Sequence, residues 1–174
     1  IIKSTLENLC SYINFDYWVI CDTGSQDNTK EIIIEYFKEK DISGELIEHE
    51  WQDFAYNRNQ AIEHGFNKSD YLFFFDADDL IHGDFKLPDK LDKDYYRFRF
   101  NHNFSHYRIC LINNRKKIGK YVGVLHELLH IKPNCSGEKI EGDYCFLGRT
   151  MGNRAKNPDK YKNEIKFAPS KAFL

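Results

Sequence analysis

The stretch "YLFFFDADDLI", residues 71–81, sends five apolar residues straight into Asp76, Ala77, Asp78 and Asp79. A short continuous apolar run reads as a buried strand, and this one carries unneutralised charge to its carboxyl end. Side chains two apart on extended backbone point the same way, so Asp76 and Asp78 are expected to face one side and Asp79 the other. Two hard oxygen donors on one side suit Mg²⁺ or Mn²⁺, and ligands of open α/β sheets bind outside the carboxyl ends of the strands. An aspartate after a strand can also simply make a turn or cap a helix. A second strand counts against that reading, because "DYWVICD" (16–22) is another short buried run and brings Asp22 to the same rim.

Around these two runs the periods alternate. "IIKSTLENLCSYI" opens the chain as a helix with Ile2, Leu6, Leu9, Cys10 and Ile13 on one face, and the natural N-terminus is expected upstream of Ile1. After Asp22, the residues Gly24, Ser25 and Asp27 supply a turn and an N-cap for a helix through about Lys38, whose core face is Ile32, Ile33, Tyr36 and Phe37. "GELIEHE" forms a second strand, and Asp53 caps "FAYNRNQAIEHG", with Gly65 expected as the C-terminal cap. Strand and helix alternating at short spacing through residue 78 predict an α/β sheet with parallel strands. Beyond Gly83 the period is 2: Tyr96, Phe98 and Phe100 alternate with Arg97 and Arg99, and "HYRICLI" and "KIGKYVGV" continue as short strands. That half reads as antiparallel or mixed sheet, closed by a helix starting at Asn157 and Pro158. With no repeat or linker, residues 1–174 are expected to form one domain.

Composition narrows the classes. Hydrophobic residues make up 41% and aromatics 16%, which places the chain among ordered globular proteins. The 25 basic and 27 acidic side chains are mixed along the chain and leave a net charge of −2, so no basic field draws in nucleic acid. Cys10, Cys21, Cys110, Cys135 and Cys145 lack CxxC spacing and are odd in number, which argues for inert thiols over zinc or a disulfide framework. No apolar run approaches the roughly 18 residues of a membrane span and no signal peptide opens the chain, so a cytoplasmic location is expected.

"VICDTGSQDNT" (19–29), "DFAYNRNQAIEHG" (53–65), "YLFFFDADD" (71–79) and "YVGVLHELL" (121–129) stand in the order and approximate spacing of family 2 glycosyltransferases, and the chain resembles that family over about three quarters of its length. The resemblance implies a GT-A-like, Rossmann-type mixed sheet flanked by helices, parallel in its first half, and a first strand ahead of Ile1. It implies a nucleotide-sugar donor, UDP-sugar favoured over GDP-sugar because Asp22 can accept from a uracil N–H, and a hydroxyl acceptor on a glycan, lipid or protein. It assigns Asp22 and Arg58 to the nucleotide, Asp76 to the ribose side of a DxD motif, and Asp78 to the metal as its principal ligand. Glu127 becomes the base that takes the acceptor proton, and His126 beside it a group for metal or acceptor. Relatives often carry a further histidine near "LGRT", where this chain has Phe146, Leu147 and Gly148. Arg149, Arg154 and Lys156 are expected in a loop that closes on the diphosphate.

"FFFDADDL" also resembles the first motif of haloacid-dehalogenase-type phosphatases. There the motif lies near the N-terminus and is followed by Gly-Thr, whereas here it follows an entire α/β half and reads Asp-Leu. A catalytically silent nucleotide-sugar-binding domain is the other alternative, and intact Asp76, Asp78 and Glu127 argue against it.

Overall fold

The computed structural model describes residues 1–101, 105–123 and 127–149. In chain order the first half runs α1 (Ile2–Tyr12), β1 (Trp18–Asp22), α2 (Thr29–Glu39), β2 (Gly44–Glu48), α3 (Phe54–Gly65), β3 (Tyr71–Phe73) and β4 (Asp79–Gly83). Among the described residues the second half has only strands: β5 (Tyr95–Asn101), β6 (Ser105–Asn113), β7 (Gly119–Val122), β8 (Leu128–Ile131), β9 (Gly137–Lys139) and β10 (Tyr144–Gly148). The helix expected from Asn157 lies outside the described residues.

Local chemistry accounts for the helix starts. Asp53 is the N-cap of α3, its carboxylate accepting from Tyr56 N–H at 2.7 Å. In front of α2, Asp27 accepts from Thr29 N–H at 3.1 Å, and the helix proper starts at Thr29 with Asn28 as its N-cap. Gly65 plays a different part from the expected cap. It ends α3 with Phe66 as the C-cap, and a Cβ there would lie 2.8 Å from Leu72 Cδ2. Its smallness lets α3 pack on β3, and the chain needs no left-handed backbone at that point.

The sheet departs from the parallel expectation at one place. β1 and β2 pair in parallel, Trp18 opposite Gly44 through Asp22 opposite Glu48. β3, however, pairs antiparallel with β6, Phe73 opposite Leu111, and so joins the sheet ordered β3-β6-β5-β10-β4. Among the described residues β1 and β3 each have a single strand partner, and a cavity of about 780 Å³ lined by Val19, Cys21, Leu72 and Phe74 lies against both. This is why the two runs expected to be fully buried have mostly half-buried residues. The strand alternation of the second half holds: Tyr96, Phe98 and Phe100 of β5 point into the core.

An aromatic stack organises that core. Phe98 and Phe146 are fully buried, with ring centroids 5.5 Å apart at 16°, and Phe85 meets each of them edge-on. Burying each such ring contributes about 1.5–3 kcal/mol. The core thereby fixes β10 against β4, the strand that starts at Asp79. All five cysteines are free thiols, and burial pushes Cys21 up to about 11 with Glu45 adding to it, which leaves it an unreactive thiol.

Candidate active site

Arg58 projects from the second turn of α3 and joins two distant parts of the chain. Its Nη1 lies 2.6 Å from Asp76 Oδ1, and its Nε donates to Glu127 Oε1 at 2.8 Å. The guanidinium carbon sits 5.2 Å from the centre of the Tyr121 ring, a cation–π contact. Asn59, the next residue, donates to Tyr121 O at 2.9 Å and accepts from Tyr121 N–H at 2.8 Å, so α3 is bolted to β7 beside the triad. Burial alone would ease the proton off Arg58, but Asp76 and then Glu127 outweigh it and raise its pKa. The three side chains are partly exposed, at 28% for Arg58, 34% for Asp76 and 15% for Glu127, so solvent reaches them.

These residues open onto a cavity of about 550 Å³, lined also by Asp79, Tyr107 and Arg108. Asp79 lines this cavity together with Asp76, against the expectation that it faces the side opposite Asp76 and Asp78, because β3 ends at Phe73 and residues 74–78 are loop, so the strand alternation does not run through them. It is 4% exposed, and burial, with Asp76 and Asp78 beside it, pushes its carboxyl up to about 7. Tyr107 and Arg108 come from β6, whose pairing with β3 ends at Leu111 and Phe73. No spacing or motif points to these two, because a period of 2 says which face a residue takes and not what lies opposite it.

The loop between β3 and β4 is held through its backbone. Asp79 N–H donates to Asp76 O at 3.0 Å, Thr5 Oγ1 donates to Ala77 O at 2.8 Å, and Arg149 Nε donates to Asp78 O at 2.8 Å. Arg149, expected in a loop over the diphosphate, is therefore engaged with the acidic loop. His126, Arg154 and Lys156 lie outside the described residues.

Asp22 ends β1 as expected and takes no part in the Arg58 triad. Its Oδ1 accepts from Gly24 N–H at 3.0 Å and from Ser25 N–H at 2.9 Å, with Gly24 at a φ of 112° that suits only glycine. Burial alone would raise its carboxyl, but the Ser25 and Gly24 donors and nearby Lys30 keep it below the usual carboxylate range. Just beyond β2, His49 N–H donates to Asp22 O at 3.2 Å. The His49 ring faces Glu50 O through Nδ1 at 3.0 Å, and since a carbonyl only accepts, Nδ1 carries a proton; in the neutral ring Nε2 is then the acceptor. Nε2 is buried with no hydrogen-bond partner among the described residues. Sequence reasoning passed over His49, although it follows β2 as closely as the turn follows Asp22.

Among the described residues no group of three or more His, Cys, Asp or Glu side chains is preassembled for a metal. None of the described helices is long and apolar enough to cross a membrane. The model of the Glycosyl transferase family 2 matches residues 1–98, a stretch that carries Asp22, Arg58, Asp76 and Asp78 and ends before Glu127. Among curated proteins none matches the chain.

Proposed function

The chain belongs to glycosyl transferase family 2 and has a GT-A-like mixed α/β fold, and from that premise we propose that it moves a sugar from a nucleoside diphosphate donor to an acceptor hydroxyl with inversion. The observation that carries the reading is the triad: a single guanidinium on α3 holds the Asp76 carboxylate and the Glu127 carboxylate at the mouth of one cavity. Glu127 takes the proton of the acceptor hydroxyl, the oxygen attacks the anomeric carbon, and the bond to the diphosphate breaks with its electron pair going to the leaving group. Arg58 orients Glu127 and lends positive charge near the departing phosphates.

Asp76 and Asp78 suit Mg²⁺ or Mn²⁺ as hard oxygen donors, since such ions take one or two carboxylates and complete their shell with substrate phosphate and water. When bound, the cation would neutralise charge developing on the diphosphate. On the nucleotide side, Asp22 and the acceptor Nε2 of His49 would receive base N–H groups, which favours uracil while leaving guanine as the second choice.

A donor screen that reads out hydrolysis and transfer products tests this directly. UDP-sugars are expected to turn over faster than GDP-sugars, and the transferred sugar is expected to have the opposite anomeric configuration to the donor. A preference for a GDP-sugar would overturn the base assignment, and a retained configuration would reject the single displacement.

A further inference from the structure

We propose that Arg149 and Thr5 are positioning residues that set the backbone of the Asp76–Asp79 loop and so fix where the Asp78 carboxylate is presented. The inference rests on the reading of Asp76 and Asp78 as the acids that engage the donor.

The geometry is specific to the two peptide planes that flank the Cα of Asp78. The plane before it is held through Ala77 O, which accepts from Thr5 Oγ1 at 2.8 Å. The plane after it is held from both ends, because Asp78 O accepts from Arg149 Nε at 2.8 Å while Asp79 N–H donates to Asp76 O at 3.0 Å. Fixing both planes fixes φ and ψ of Asp78, the only soft backbone dihedrals it has. The two clamps are also joined to each other. Arg149 Nη2 donates to Thr5 Oγ1 at 2.7 Å, and the single hydroxyl proton of Thr5 goes to Ala77 O at 2.8 Å, the nearer of two carbonyls, Ile1 O being at 3.4 Å. Thr5 is 2% exposed, so water does not compete for that proton.

Each partner stands on a rigid element. Thr5 belongs to a stripe on α1 whose next members repeat the same kind of contact: Asn8 Nδ2 donates to Ile81 O at 3.0 Å and accepts from Ile81 N–H at 2.7 Å, and Tyr12 OH donates to Gly83 O at 3.1 Å. Positions 5, 8 and 12 share one helix face, so α1 lies along the loop and β4 as a brace. Arg149 follows directly on β10, where Gly148 is registered opposite Asp79, and this places its guanidinium beside the loop. The bonds run from these side chains to loop carbonyls and to each other, so the role is one of position.

Amide hydrogen exchange at Asp78 and Asp79, measured beside calorimetry of UDP with and without Mn²⁺, tests the proposal. Thr5→Val keeps the side-chain shape and removes the hydroxyl, Thr5→Ser keeps the hydroxyl, and Arg149→Ala removes the other clamp. Exchange at the two loop amides is expected to accelerate roughly tenfold in Thr5→Val and Arg149→Ala, with exchange in β5 and β6 unchanged and Thr5→Ser close to the parent. The metal-dependent part of UDP affinity is expected to fall by about tenfold in the same two variants, and the metal-free part to stay put. Unchanged loop exchange in both variants overturns the clamp, whatever UDP does. Faster exchange with metal-dependent affinity intact overturns the positioning role. A parent whose UDP affinity ignores Mn²⁺ counts against the metal reading alone, and the exchange result still decides the clamp.

Discussion

Glu127→Gln is expected to lower turnover by about 10² or more while donor affinity stays within about twofold of the parent. The glutamine side chain keeps the size of glutamate, and its carbonyl oxygen can still accept from Arg58 Nε, the contact that Glu127 makes at 2.8 Å. What it loses is the capacity to take a proton. A structural role for Glu127 would therefore survive the substitution, whereas a role as base would not. Steady-state rates with a saturating donor, set beside the UDP dissociation constant, separate the two. Near-parental turnover would remove Glu127 from the chemistry.

Arg58 carries the second large effect, and here the informative change is to lysine. The guanidinium reaches Asp76 through Nη1 and Glu127 through Nε, two nitrogens on different edges of one rigid plane. An ammonium is a single point charge on a flexible stem and holds one carboxylate well at the expense of the other. Arg58→Lys is expected to cut kcat by about 10- to 100-fold and to cost roughly 2 kcal/mol of stability, modest because the carboxylates keep some contact with solvent. Arg58→Ala should be worse on both counts, since it leaves two carboxylates facing each other with no cation between them. Urea denaturation gives the stability change. A lysine variant with parental kcat would show that Arg58 serves only as a nearby positive charge.

Much of this site was legible in the sequence wherever the signal was local. The Asp53 cap, the turn after Asp22 and the acids after the apolar run at 71–75 all lie within a few residues of the groups that decide them. The alternation of β5 gave its core face for the same reason. What escaped was long-range. Arg58 could be picked out by its motif, but its bond to Glu127 spans 69 positions and no spacing rule reaches that far. Arg149 read as a loop cation because its partners Ser4, Thr5 and Asp78 lie at the other end of the chain or earlier in the fold. On α1 the apolar face was plain, and the polar stripe of Thr5, Asn8 and Tyr12 hid between its members, because its targets are backbone groups of β4 and the loop before it. The antiparallel pairing of β3 was missed on similar grounds: a buried run of aromatics fits either direction, and its partner β6 lies well downstream.

Calorimetric titration of UDP into the parent protein and into Asp78→Ala, each with and without Mn²⁺, tests most directly whether the acid pair engages the diphosphate through a cation. Mn²⁺ is expected to tighten UDP binding to the parent by about tenfold or more, equivalent to about 1.4 kcal/mol, and to leave binding to Asp78→Ala unchanged while that variant keeps its unfolding transition. Equal UDP affinity with and without Mn²⁺ in the parent would contradict the account.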